Sequence, residues 1–357
     1  MNKRYLRVLA SPLQSEDNPF QSLLYKSLEK NNIHVSTVAT HKLLQGSWDV
    51  WHLHWPENIV NQRYLRSIIL PLLKLWIRLK LARLHKTKIF WTAHNLQSHE
   101  RIHPFLERLF WHKFLSNVDG IICLSEVGKQ QLRVQHPRTR LIPTFAIPHG
   151  HYRGAYPDVI NKDEARRALS IRPDEFVLTF LGQIRAYKGV APLVRCFTAA
   201  QVENVKLLIA GKPFDDGIMC EINEAAALNP SVTLFPKFVD RNDIQKILRA
   251  TDLVVLPYKE ILNSGSGMLA LSFDRPILVP TMGAMAELRE IVGSDWVRLY
   301  EGELSPEIMR SAIDWTKARR LGPDVRAPLE PMNWDRIAEL TIQAFLLDKT
   351  LQQSHHL

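Results

Sequence analysis

Apolar runs of strand length recur along the chain, each followed by a stretch long enough for a helix. In the first part the runs are Tyr5–Ala10, Ile33–Val38, Val50–His54, Lys88–Ala93 and Gly120–Leu124. In the second they are Phe176–Leu181, Lys206–Ala210, Val232–Phe235, Leu253–Leu256, Ile277–Pro280 and Trp296–Leu299. Between them Phe20–Lys30, Phe105–Asn117, Glu126–Arg133, Val190–Gln201, Ile218–Leu228 and Asn242–Ala250 read as helices. Alternation of this kind predicts an α/β class, with parallel sheets covered on both faces. The pattern breaks once, at residues 143–158 (PTFAIPHGHYRGAYPD), rich in Pro, Gly and aromatics. The linker is placed there, between a domain of residues 1–150 and one of residues 159–330. Two doubly wound, Rossmann-like domains are therefore expected to face a cleft. In such sheets ligands sit outside the carboxyl ends of the strands.

Composition changes this picture little, and charge changes it more. The 357 residues are 46% hydrophobic and 23% charged, as in folded soluble proteins. Cys123, Cys196 and Cys220 lie far apart, in or beside apolar segments, and read as reduced core residues of a cytosolic protein. The first residues, MNKRYLRVLASPLQSED, contain no apolar h-region, so no signal peptide is expected. Residues 1–150 hold 21 Lys and Arg against 9 Asp and Glu, a net +12, whereas the remainder nets −2. A basic domain calls for an anionic partner: nucleic acid, acidic lipid or an anionic substrate. No RRM, KH or zinc-finger pattern accompanies the charge, which argues against nucleic acid. The segment Arg63–Leu84 is too often interrupted by charge to span a bilayer. As a helix from about Pro71 it carries Leu72, Trp76 and Leu79 on one side and Lys74 and Arg78 on another. It suits both a core helix with a basic outer face and a helix lying in a membrane interface, and the two are compatible.

The residues after each strand carry the candidate chemistry. In the second part, Phe176–Leu181 runs into Gly182-Gln-Ile-Arg185-Ala-Tyr187-Lys188, and the next strand into Gly211-Lys212. Leu253–Leu256 leads through Tyr258 to Asn263-Ser264-Gly265-Ser266-Gly267 and a helix. A small-residue turn before a helix N-terminus is an anion site, because spare N–H groups and the helix dipole favour negative charge. No lysine follows Gly267, so the turn is not a P-loop. Alone, this turn is an ordinary strand-to-helix connection and each cationic loop a solvated surface loop. Together, two cationic clusters and one N–H cradle fit a nucleoside diphosphate. Tyr187 and Tyr258 are placed at the border of the nucleotide or sugar, with core packing as the plainer role for Tyr258.

In the first part, Val50–His54 leads into Trp55-Pro56-Glu57, and Lys88–Ala93 into His94-Asn95, with Glu100 beyond. His149 and His151 sit on the linker. Such groups can do acid–base work or hold sugar hydroxyls. His52 and His54 point to one face of their strand, where satisfied core histidines are the sober reading. No Cys or carboxylate completes a four-ligand metal set at the usual spacing, and no metal is expected.

These residues carry a family likeness. DVWHLHWPE (49–57), HNLQSHE (94–100), HGHYR (149–153), LGQIRAYKGV (181–190), VVLPYKEILNSGSGMLALSFDRPILVP (254–280) and WVRLYEGE (296–303) resemble the bacterial exopolysaccharide β-1,4-mannosyltransferases, which are GT-B glycosyltransferases. The likeness runs in order over most of the chain. It implies GDP-mannose as donor, a polyprenyl-diphosphate-linked oligosaccharide as acceptor, and inversion without a tightly bound metal or other cofactor. It also implies a cytoplasmic enzyme peripherally bound to the anionic inner-membrane surface. A last helix of about Trp334–Leu347, within residues 331–350, is expected to pack back on the first domain. One departure matters. The E-x7-E pair of many retaining GT-B enzymes is absent, because Met268 stands eight positions after Glu260.

The strand-end residues then take roles in such a transfer. Glu57 and Glu100 are the candidate bases, with His94 as base or sugar ligand. Gly182, Arg185, Tyr187, Lys188, Lys212, Tyr258, Asn263, Ser264, Gly265 and Ser266 would bind the donor. His54, Trp55, Asn95, His149 and His151 would bind the acceptor. The rivals are a transferase with another nucleotide sugar and a GT-B-like sugar-nucleotide epimerase, which would need neither membrane nor acceptor.

Overall fold

The computed structural model describes residues 5–15, 18–96, 102–319 and 325–346. Its contacts divide the chain into two units. Unit 1 comprises Met1–Gly150 and Met332–Leu357, and unit 2 comprises His151–Pro331.

Unit 1 is built on strands β1 (Arg7–Ser11), β2 (His34–Thr37), β3 (Val50–His54), β4 (Lys88–Ala93), β5 (Gly120–Cys123) and β6 (Thr144–Ala146). Its helices are α1 (Phe20–Lys30), α2 (Thr40–Gln45), α3 (Arg66–Leu84), α4 (Pro104–Leu115) and α5 (Glu126–Gln135). All pairings are parallel, in the order β2-β1-β3-β4-β5-β6. Unit 2 holds β7 (Phe176–Leu181), β8 (Val205–Ala210), β9 (Val232–Phe235), β10 (Leu253–Val255), β11 (Ile277–Pro280) and β12 (Val297–Tyr300). Its helices are α6 (Lys162–Ala168), α7 (Val190–Ala200), α8 (Asp216–Ala226), α9 (Arg241–Ala250), α10 (Gly265–Ser272), α11 (Met285–Val292) and α12 (Pro306–Ala318). This sheet is also all parallel, in the order β12-β11-β10-β7-β8-β9. The chain ends its described course in unit 1, as α13 (Trp334–Leu346).

Strand alternation sorts the core of unit 1 into two layers. Trp51 and Leu53 of β3, with Trp91 and Ala93 of β4, pack under α3, α4 and α5. Val50 and Phe90 point the other way, into a layer closed by Phe20, Leu24, Tyr25 and Leu28 of α1 and Ile337, Ala338 and Phe345 of α13. His52, His54 and Thr92 share that second direction, because side chains two apart on a strand lie on one face. All three are buried, so three polar groups stand in an apolar layer and must find partners.

Several local readings change. Helix α3 begins at Arg66, so Pro71 lies within it. A proline that early removes one hydrogen bond, while the apolar row Ile68, Leu75, Leu79 and Ala82 anchors the helix on the core. The segment read as linker begins with β6, whose three residues are too few to show a period. The short helices α2 and α11, and the longer α12, join the expected set. Cys123 and Cys196 are buried free thiols, but Cys220 is exposed on α8 rather than in the core. Among the described residues no helix is long and apolar enough to cross a membrane.

Candidate active site

In unit 2, β7 and β10 are neighbours and the strand order reverses between them. Loops leaving such a pair diverge and open a crevice, where doubly wound sheets bind ligands. The loop after β7 is tied to its neighbours through backbone hydrogen bonds. Ile184 N donates to Lys212 O and Lys259 N to Tyr187 O, at 2.9 and 2.7 Å. Gly182 sits at φ +147, where a Cβ would lie 2.7 Å from Ser266 Oγ and 3.2 Å from Lys188 Nζ. The missing side chain therefore lets two polar groups, Ser266 Oγ and Lys188 Nζ, stand close against the backbone.

Lys188 lies half-buried at the end of a short 3-10 turn, with Nζ 5.6 Å from the Tyr258 ring centroid. Burial first, and the Arg185 guanidinium second, push its ammonium down to about 8. No carboxylate among the described residues pairs with it. A desolvated cation next to another cation is the signature of a place kept for an anion. Arg185 packs its guanidinium 4.6 Å from the Phe214 ring centroid.

Opposite Lys188, Ser264 caps α10, and its Oγ accepts from Gly267 N at 2.9 Å. The first amides of a helix have no intrahelical acceptor, so those of this turn are offered outward. Asn263 Nδ2 is buried without an acceptor among the described residues. Tyr258 is buried and bonds Ser264 and Ser266 through its hydroxyl, so it walls the cradle by packing. The geometry thus gathers Gly182, Arg185, Lys188, Tyr258, Asn263, Ser264, Gly265 and Ser266. The Lys212 side chain is exposed at the end of the next strand, and Tyr187 is half-buried beside Lys188. The Ser264 oxygen already accepts from Gly267 N as a helix cap, whereas Ser266 Oγ stands beside bare Gly182.

In unit 1, the ends of β3 and β4 carry a second polar group. Trp55 adopts left-handed backbone, φ 48, which costs roughly 1–3 kcal/mol for a bulky residue. That conformation lays its ring on His94, with centroids 4.1 Å apart and planes 21° from parallel. His94 Nε2 is 2.8 Å from His54 Nδ1. Tyr25 Oη then bridges His54 Nε2 and His52 Nδ1 at 2.9 and 3.1 Å, and His52 Nε2 meets Thr92 Oγ1 at 2.7 Å. Burial lowers His52, His54 and His94 far enough that all three rings are neutral at neutral pH. His149 joins through Phe20, whose ring meets those of His94 and His149 edge-on at 4.9 Å each. Trp334 of α13 closes the group, since a Cβ on Gly150 would lie 2.4 Å from its ring.

Glu57 follows Trp55 and is buried. Its carboxyl is pushed up to about 7 by burial, against a hydrogen bond from Asn95. Oε2 has no partner among the described residues. A carboxyl with such a value and an unfilled acceptor atom has the properties of a general base at neutral pH.

Unit 1 therefore gathers Glu57 with Asn95, and His54, Trp55 and His94 with His149. His151 belongs to unit 2. Glu100 lies outside the described residues. Sequence reasoning passed over Tyr25, Thr92, Phe20 and Trp334, which come from α1, β4 and α13. Among the described residues no three His, Cys, Asp or Glu side chains are arranged to hold an ion.

Residues 161–271 match the family described as glycosyl transferases group 1. The chain is 29% identical over 332 residues to a GDP-mannose:glycolipid 4-beta-D-mannosyltransferase of Xanthomonas campestris pv. campestris, covering 92% of this chain and 88% of that one. It is 35% identical over 169 residues to a D-inositol 3-phosphate glycosyltransferase of Mycobacterium sp. (strain KMS), covering 42% of this chain and 37% of that one. In fold it matches Anabaena HepE in complex with UDP and glucose, with TM-score 0.62, 14% identity and 98% of both chains covered. WaaG, a glycosyltransferase involved in lipopolysaccharide biosynthesis, matches with TM-score 0.59, 14% identity and 98% coverage of both chains. The fold is GT-B.

Proposed function

We propose that this chain, a glycosyltransferase of the GT-B fold, moves mannose from GDP-mannose to a polyprenyl-diphosphate-linked oligosaccharide during exopolysaccharide assembly, with inversion. The observation that carries the reading is Lys188, a half-buried cation with no carboxylate partner among the described residues, beside bare Gly182 and the α10 turn. A nucleoside diphosphate supplies the missing charge. Arg185, Lys188, Asn263 Nδ2, Ser266 and the turn amides would hold it, with Tyr187 and Lys212 at its margin. The sugar and acceptor follow from the likeness to the Xanthomonas mannosyltransferase over most of both chains.

The chemistry needs one proton acceptor and one leaving-group clamp. The acceptor hydroxyl fills the vacant hydrogen bond of Glu57 Oε2 and loses its proton there. Its oxygen bonds to the anomeric carbon as the bond from that carbon to the diphosphate breaks. Charge develops on the departing diphosphate, where Arg185 and Lys188 stabilise it in the role a metal fills elsewhere. Trp55, Asn95, His54, His94 and His149 would hold the acceptor sugar, with the Trp55 face as platform.

The outer face of unit 1 supports a membrane-bound acceptor. On and just before α3, Tyr64, Leu65, Ile69, Leu70 and Leu73 are all more than half exposed, as are Phe105 and Leu109 of α4. His103 Nε2 lies 3.0 Å from Gln62 O, which ties the starts of the two helices together. Exposed Arg63, Arg66, Lys74 and Arg108 surround them. Apolar anchors ringed by cations suit the interface of an anionic bilayer, which supports a reading of the enzyme as bound peripherally to the cytoplasmic face of the inner membrane. Ile69→Asp with Leu70→Asp is expected to weaken binding to phosphatidylglycerol-containing vesicles about tenfold or more. Unchanged sedimentation with those vesicles would remove this face from the reading.

The donor assignment is tested by thermal shift with a nucleotide panel in EDTA. GDP and GDP-mannose are expected to stabilise the protein while UDP compounds do not. Stabilisation by UDP compounds alone would overturn the donor while keeping the site. No shift with any diphosphate would overturn the site.

A further inference from the structure

Five side chains of unit 1 form one continuous hydrogen-bonded row: Thr92, His52, Tyr25, His54 and His94. A neutral imidazole has one N–H and one lone pair, and a tyrosine hydroxyl has one hydrogen to give. With Tyr25 accepting from both histidines its own buried O–H would be left unpaired, so when Tyr25 gives its hydrogen within the row, the row can run in only two directions. In one, Thr92 donates to His52 Nε2, His52 Nδ1–H to Tyr25, Tyr25 to His54 Nε2, and His54 Nδ1–H to His94 Nε2. His94 then carries its own proton on Nδ1. In the other, every bond is reversed, and His94 presents a bare Nδ1.

The two directions are not equivalent, because of Thr92. It is buried, and the one hydrogen-bond partner of its hydroxyl among the described residues is His52 Nε2. The first direction uses its hydrogen. The second makes it an acceptor and leaves a buried O–H unpaired, the costlier kind of defect. His94 is half-buried at the far end, and its ring plane is fixed by the stack on Trp55.

We infer that Thr92 sets the direction of this row, that Tyr25 transmits it, and that His94 is held as a hydrogen-bond donor through Nδ1 to an oxygen of the acceptor sugar. Tyr25 is then a positioning residue, acting through His54. His94 is not the base, and proton removal falls to Glu57. The ligand in this statement rests on the proposed acceptor reaction, whereas the direction of the row does not.

The test is nitrogen NMR of the full chain labelled at histidine, without substrate. His52, His54 and His94 are expected to carry their protons on Nδ1, all three together. A proton on Nε2 of His94 would overturn the inference. Tyr25→Phe cuts the row, so His94 is expected to exchange between both tautomers. Its kcat/KM for the acceptor should fall about tenfold, the size of one misplaced hydrogen bond. The shift given by GDP should stay unchanged, which separates this loss from failure of the donor site. Unchanged kcat/KM in a folded Tyr25→Phe protein would also overturn it. Should that variant fail to fold, the tautomers of the unsubstituted chain decide alone.

Discussion

Replacing Glu57 by Gln should make the enzyme nearly inactive and more stable. The activity loss is expected at about 10²–10⁴-fold, the range for removing a general base. It should appear in kcat, with the GDP-induced thermal shift intact. The stability gain follows from burial. The folded carboxyl titrates at about 7 against an ordinary 4.5. An acid whose folded value is raised carries no penalty below its unfolded value. The penalty grows between about pH 4.5 and 7 and is fully present above. Ionised Glu57 thus destabilises unit 1 by roughly 3 kcal/mol at pH 8. Gln has nearly the same shape and never ionises. Melting of Glu57→Gln should match the parent at pH 5 and exceed it at pH 8 by on the order of 5 °C. A retained kcat would place the base elsewhere. A stability difference independent of pH would mean that Glu57 does not titrate in that window.

Much of this site is local in the sequence, and the rest is not. The Asn263–Gly267 turn is visible through small residues between a buried strand and a helix, and the structure starts α10 at Gly265. Arg185 and Lys188 are visible because they follow an apolar run that can only be a strand. What no spacing reveals is that Lys188 has no carboxylate partner among the described residues, since that depends on which loops come beside it. The histidine row shows the same limit. The separation of His52 and His54 places them on one face, and β3 confirms that face. Tyr25 lies 27 residues before His52, on a helix whose own pattern is plain amphipathic packing. It becomes part of the row only when α1 settles on the second core layer. Trp334 reaches the site from the far end of the chain, by the docking of α13 beside α1. The pattern of α3 fits two readings because it is apolar on too many sides. The structure buries Ile68, Leu75 and Leu79 and leaves Leu70 and Leu73 exposed, so the helix serves the core and still presents an apolar surface.

Lys188→Met should produce the mirror image of the Glu57 result in unit 2. The ammonium titrates at about 8 rather than 10.5 because it is desolvated and lies near Arg185. A base whose folded value is lowered costs stability wherever it is charged, below about pH 8. That cost fades as pH rises from about 8 toward 10.5. Without nucleotide, Lys188→Met should therefore melt higher than the parent at pH 7, and the advantage should shrink by pH 10. With nucleotide the order should reverse. The diphosphate needs the charged ammonium, so in the parent protein GDP affinity should hold steady up to about pH 7.5. Above about pH 8 it should fall about tenfold per unit, as each binding event takes up a proton. Lys188→Arg keeps a charge that does not titrate there, so it should bind GDP with no such slope. Lys188→Met should lose the nucleotide-dependent shift and about 10²–10³ in transfer rate, since the clamp acts where charge develops. A flat affinity profile in the parent would show that Lys188 does not meet the phosphates. Near-normal turnover of Lys188→Met, with its GDP shift retained, would move the donor away from the Gly182 cradle altogether.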